Sequence, residues 1–185
     1  MRITGGTARG IQIDVPKGDA LRPATDRMRE AVFSRLADQV VGASFLDLFA
    51  GSGSYGLEAI SRGAGAGLFV EKHPGSLRYL KRNLEKVLKS CGNAGSAFKA
   101  VSADALSFQV GEPVDLIFAD PPYGIAQKIL PDLLRQLQRS LKPDGQVILE
   151  LPSELVLDDE GWECVRDWGK KGRGNPSVRL LVKTS

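Results

Sequence analysis

The sequence predicts an α/β fold, a mostly parallel sheet covered by helices on both faces. Two observations carry that prediction. From Ser44 onward, short and nearly continuous apolar runs alternate with stretches of helical periodicity. That is the pattern of strands buried on both faces and joined by crossover helices. The tail then changes character: two strand-like runs follow each other with no room for a helix between them. Strands joined that way pair antiparallel.

Taken in order, residues 2–15 alternate loosely around Gly5-Gly6 and Gly10 and predict a small β-hairpin, Arg2–Thr4 with Arg9–Val15. Leu21-Arg22-Pro23 breaks the chain. Thr25 is placed to cap a helix over Asp26–Gln39, where Met28, Val32, Phe33 and Leu36 recur at helical spacing. Residues 1–40 therefore read as a hairpin-and-helix appendage and residues 41–185 as the main domain. In that domain, strands are expected at Phe45–Phe49, Gly67–Val70, Phe98–Val101, Val114–Ala119 and Gln146–Leu151. Helices are expected at Ser54–Arg62, Pro74–Ser90 and Ile125–Leu141, and Lys142-Pro143-Asp144-Gly145 reads as a turn into the fifth strand. The tail runs are Trp162–Trp168 and Val178–Lys183.

Composition points to an ordinary globular domain, 42% apolar and 25% charged. No apolar run is long enough to span a membrane and the start has no apolar leader segment, so a cytoplasmic location is expected. Cys91 and Cys164 form no CxxC and read as buried small apolar side chains. No spacing of His, Cys, Asp and Glu suggests a metal site. Net charge is only +3, but it is unevenly spread. Residues 1–36 hold seven Arg/Lys against four Asp/Glu, and residues 166–183 hold six against one. Positive charge gathered at both ends of a chain suits a polyanion partner.

The first chemical motif is Asp47-Leu48-Phe49-Ala50-Gly51-Ser52-Gly53-Ser54-Tyr55-Gly56, a strand running into a glycine-rich turn that opens a helix. Glu71 follows 20 residues after Gly51, at the end of the next strand, where a carboxylate accepts both hydroxyls of a ribose. The glycine spacing also satisfies a dinucleotide fingerprint, so the motif alone specifies an adenosine-type cofactor. Asp47 separates the possibilities. A carboxylate four residues before Gly51 repels a pyrophosphate and attracts a cationic amine. Asp104 and Ala105, after the third strand, are expected to line the adenine pocket.

The second motif is Asp120-Pro121-Pro122-Tyr123, directly after the apolar run Leu116–Ala119. An exocyclic base amine is a poor nucleophile because its lone pair is delocalised into the ring. An Asp120 carboxylate and a Pro121 carbonyl accept its two N–H bonds and favour the pyramidal, nucleophilic geometry. Two prolines stiffen the loop, and Tyr123 offers a face on which a base stacks.

Asp47, Gly51, Gly53, Glu71 and Asp120–Tyr123 resemble the class I methyltransferases. Arg2-Ile3-Thr4-Gly5-Gly6, Arg9-Gly10 and Leu21-Arg22-Pro23-Ala24-Thr25-Asp26-Arg27-Met28-Arg29-Glu30 resemble the N-terminal signature of the RsmD family, which methylates guanine N2 of 16S ribosomal RNA. The chain departs from that signature at Ala24, where many members have Thr. The resemblance implies a Rossmann-like, seven-stranded sheet with an antiparallel last strand, S-adenosylmethionine as cofactor, and ribosomal RNA in a small-subunit particle as partner. On this reading Arg2, Arg9, Arg22, Arg27 and Arg29 contact RNA. A DNA adenine-N6 methyltransferase shares Asp-Pro-Pro-Tyr, but no segment is large enough for a DNA-recognition domain. A nicotinamide-dependent oxidoreductase leaves Asp47 and Asp120–Tyr123 unexplained, and the intact Asp120 argues against a non-catalytic assembly factor.

Overall fold

The computed structural model describes residues 1–16, 24–92, 97–157, 161–169, 172 and 174–184, without the side chains of Ala24 and Thr25. Seven strands form one sheet: β1 (Ser44–Leu48), β2 (Ala66–Val70), β3 (Phe98–Val101), β4 (Val114–Ala119), β5 (Leu141–Pro152), β6 (Trp162–Gly169) and β7 (Pro176–Lys183). Their order is β3-β2-β1-β4-β5-β7-β6. The pairs among β1 to β5 are parallel, and β7 runs antiparallel to both β5 and β6. The helices are α1 (Ala24–Leu36), α2 (Ser54–Ser61), α3 (Pro74–Ser90) and α4 (Tyr123–Ser140).

Period-two alternation divides the core into two layers. Phe45, Phe69, Phe118 and Ile148 point to one face, where α1, α2 and α3 cover them with Phe33, Leu57, Ile60, Leu80 and Val87. Leu46, Val70, Ile117 and Leu149 point to the other, under Leu133, Leu134 and Leu137 of α4. The connection from β3 to β4 contains no helix. Ala105, Leu106, Phe108 and Val110 from that segment pack on the α4 side instead.

The expected hairpin is present in minimal form, a single antiparallel bridge between Arg2 and Gln12 flanked by Ile3–Ile11 and Ile13–Met1 backbone bonds. Its apolar residues Ile3, Ala8 and Ile13 join the same buried cluster as the sheet and as Val32, Phe33 and Leu36 of α1, so the hairpin and α1 share the core. Gly5-Gly6 does more than turn the hairpin. Gly6 has φ +75°, and a Cβ there would lie 1.9 Å from the Ser61 carbonyl oxygen, so a glycine lets this segment lie directly on the end of α2.

Two expectations need correction. The turn at Lys142–Gly145 falls within the bounds of β5, as an excursion between the Val114–Leu141 and Leu116–Gln146 pairs. Asp115 stands opposite it and binds Lys142 Nζ at 2.8 Å and the Ser44 hydroxyl at 2.6 Å. Cys91 is only half-buried, just past the end of α3, and Cys164 is exposed because β6 is the outer strand of the sheet and most of its side chains face solvent. Arg22 lies outside the described residues, as does the Thr25 side chain.

Candidate active site

Strand register brings the chemistry to one line. Val70, Leu48, Ala119 and Leu149 pair across β2, β1, β4 and β5. The residues that follow them are Glu71, Phe49, Asp120 and Glu150, so three carboxylates line up at the carboxyl edge of the parallel strands, Glu150 still within β5, where open α/β sheets bind ligands. There they line a cavity of about 670 Å³ together with Asp47, Gly51, Tyr55, Ala105, Pro121 and Tyr123. Met1, Val15, Asp26 and Arg29 form part of its wall, so the N-terminal segment helps to enclose it.

The glycine turn is held by the two carboxylates expected to bind a cofactor. Gly51 and Gly53 are left-handed, at φ 56° and 91°. Phe49, not a glycine, is also left-handed at φ 56°, a conformation that costs an L-residue about 1–2 kcal/mol. Glu71 Oε2 accepts the Gly51 N–H at 2.8 Å, and its Oε1 accepts the His73 N–H at 2.6 Å. Asp47 Oδ2 accepts the Gly56 N–H at 3.0 Å, within the first turn of α2. Burial, followed by the nearby Glu71 charge, pushes the Asp47 carboxyl up to about 8, although the Gly56 bond opposes the shift. A cation beside Asp47 lowers that value and restores the charge, whereas an anion there would raise it further. The site suits a cation.

Asp120 and Pro121 follow β4, and Tyr123 begins α4 two residues before the expected start. The Tyr123 hydroxyl donates to Glu150 Oε1 at 3.2 Å, and the Tyr55 hydroxyl donates to Glu150 Oε2 at 3.2 Å. Tyr55 itself stacks on Phe118, with centroids 5.6 Å apart and planes 13° from parallel. Burial, then the Glu150 and Asp120 charges, hold the Tyr55 hydroxyl well above its ordinary titration range.

A family model described as conserved hypothetical protein 95 matches residues 1–181. Ribosomal RNA small subunit methyltransferase D of Haemophilus influenzae is 32% identical over 97% of this chain and 92% of its own length. The chain belongs to this family, the RsmD family. The Escherichia coli relative of the same description is 42% identical over 66% of this chain, and the matched stretch spans 60% of that protein. A solved structure of a candidate methyltransferase from Escherichia coli is 34% identical, over 99% of this chain and 97% of that one, with a TM-score of 0.82.

Within this RsmD-family fold, not every expected site residue reaches the site. Asp47, Gly51, Glu71, Ala105, Asp120, Pro121 and Tyr123 meet at the cavity. Gly53 does not line it, and neither does Asp104. Its carboxylate accepts the Leu106 N–H at 2.9 Å and pairs with Lys72 at 3.4 Å, so it caps its own turn and Ala103 takes the wall position. Arg2, Arg9 and Arg27 are exposed. Arg29 is 1% exposed and pairs with Glu58 and Asp26, which removes it from the expected RNA contacts. Sequence reading missed Tyr55 and Glu150. An acidic residue inside the apolar run Val147–Leu151 was the available signal for the second.

Proposed function

We propose that this RsmD-family chain transfers a methyl group from S-adenosylmethionine to the N2 amine of a guanine in 16S ribosomal RNA. Its substrate is a small-subunit particle in the cytoplasm. One observation carries the reading: Asp47 and Glu71 share a single cavity with the Asp120–Tyr123 loop, at the carboxyl edge of the sheet. The donor set fits the cofactor. Glu71 keeps lone pairs for the ribose hydroxyls, Asp47 faces the methionine ammonium, and Ala103 and Ala105 leave a flat apolar wall for adenine.

When bound, S-adenosylmethionine supplies the electrophilic methyl group. Asp120 and the Pro121 carbonyl hold the amine hydrogens and draw the nitrogen toward a pyramidal shape, with Asp120 able to receive the departing proton. Tyr123 supports the base by stacking, and the cavity positions the two partners. Exposed Arg2, Arg9 and Arg27 serve RNA phosphates. The test is to map methylated guanines in 16S ribosomal RNA from cells lacking this protein. One N2-methylguanine should vanish and return when the purified protein and S-adenosylmethionine are added to the isolated particles. An unchanged methylation map would refute the reading.

A further inference from the structure

We propose that Glu150 is the residue by which the site selects guanine, its carboxylate accepting the ring N1–H next to the amine being methylated. The inference rests on the guanine-N2 reading and adds a residue to it. Asp120 and Pro121 supply two acceptors, enough for the two hydrogens of any exocyclic amine. They accept the N6 amine of adenine as readily as the N2 amine of guanine. Discrimination needs a third group that reads the neighbouring ring nitrogen, which is a donor (N1–H) in guanine and an acceptor (bare N1) in adenine.

Glu150 is placed for that task. Ala119 pairs with Leu149, so Asp120 and Glu150 follow each other across adjacent parallel strands and line the same cavity. Glu150 is 5% exposed, and its two oxygens are each held by a tyrosine hydroxyl at 3.2 Å. Tyr55 is fixed by its stack on Phe118, which sets the carboxylate's orientation from below. Tyr123 holds it from the base-binding loop, so the loop that supports the base also touches the group that reads it. A guanine held at its amine by Asp120 and Pro121 would turn its N1–H toward this neighbouring carboxylate, which as an ionised group is an acceptor only. A base that presents a bare nitrogen there meets a fixed negative charge and leaves its own acceptor unmatched, and buried mismatches of this kind discriminate strongly.

The test compares two target bases in otherwise identical small-subunit particles, built from ligated RNA. One carries guanine, and the other carries 2-aminopurine, which keeps the 2-amine but has a bare N1. The wild-type protein should prefer guanine by roughly 100-fold in kcat/KM. Glu150→Gln should bring that ratio to within about threefold of unity, because its amide also offers a donor to bare N1. Equal rates on both bases with the wild-type protein would overturn the role of Glu150 without needing a variant. A Glu150→Gln protein slowed equally on both bases would overturn it too, leaving Glu150 a support for Tyr123. Methylation of neither base by the wild-type protein would instead bring down the guanine-N2 reading, and this inference with it.

Discussion

Arg29 and Glu58 form an ion pair sealed from solvent, with side chains 2% and 0% exposed and Nε 3.3 Å from Oε2. The same carboxylate accepts the Thr4 N–H and hydroxyl, the Gly5 N–H and the Arg62 guanidinium. Breaking one partner of a buried pair leaves a charge without compensation. Arg29→Ala is expected to destabilise the fold by about 3 kcal/mol, with Arg62 retaining part of the pairing. Urea denaturation measures this, and a loss below about 1 kcal/mol would show the pair to be dispensable.

The exposed arginines should behave differently. Replacing Arg2, Arg9 or Arg27 by alanine is expected to change stability by less than about 0.5 kcal/mol. Each lost phosphate contact should flatten the salt dependence of RNA binding by about 0.7–0.9 in log–log slope. Binding titrations across a salt series test it. An unchanged slope in all three variants would move the RNA contact to another surface.

Asp47 makes the unliganded protein sensitive to pH in a defined direction. Its folded value of about 8 lies above the ordinary 3.8, so the folded state holds a proton that the unfolded chain has lost. Stability from this group is complete below about 3.8 and declines as pH rises to about 8. Asp47→Asn should remove that decline. Binding of the cationic cofactor at pH 7 should expel the proton. Calorimetry in two buffers of different ionisation enthalpy should register the release with wild-type protein and none with Asp47→Asn.

Cofactor hold and chemistry should separate by residue. Glu71→Ala is expected to weaken S-adenosylmethionine binding by about 1.5–3 kcal/mol through lost hydrogen bonds to the charged group. Asp120→Ala should leave that affinity near wild type and lower kcat by at least roughly 100-fold. Turnover preserved in Asp120→Ala would remove this carboxylate from the mechanism.

Much of this was readable from residues because the deciding signals were local. Apolar runs gave the seven strands, and β3 and β4 match the expected bounds. The glycine turn and Asp120–Tyr123 declare themselves within a few neighbours. What escaped depends on contacts far apart in the chain. Arg29 looked like a surface arginine because its partner Glu58 is 29 residues away, and Glu58 sits in a helix too short for its polarity pattern to stand out. Glu150 gains meaning only once β5 lies beside β4 and Tyr55 comes within reach, 95 residues distant in sequence. Asp104 followed its local chemistry, an aspartate capping the turn that it begins.

The eight-residue helix α2 carries the glycine turn at one end and receives Thr7 and Ala8 on Ser61 at the other. Asn83 adds a second link, donating to both the Asp14 and Ser52 carbonyls at 2.9 and 3.1 Å. The opening segment and the cofactor turn are therefore one mechanical piece. The segment is not an exchangeable module: grafting it onto another sheet of this type would require α2, Ser61 and Asn83 to travel with it. Nor can it be trimmed away to leave a working remainder. A chain shortened by its first fifteen residues would take Thr4 and Gly5 from Glu58 and Asp14 from Asn83 together, so its cofactor turn would loosen before any question of RNA arose.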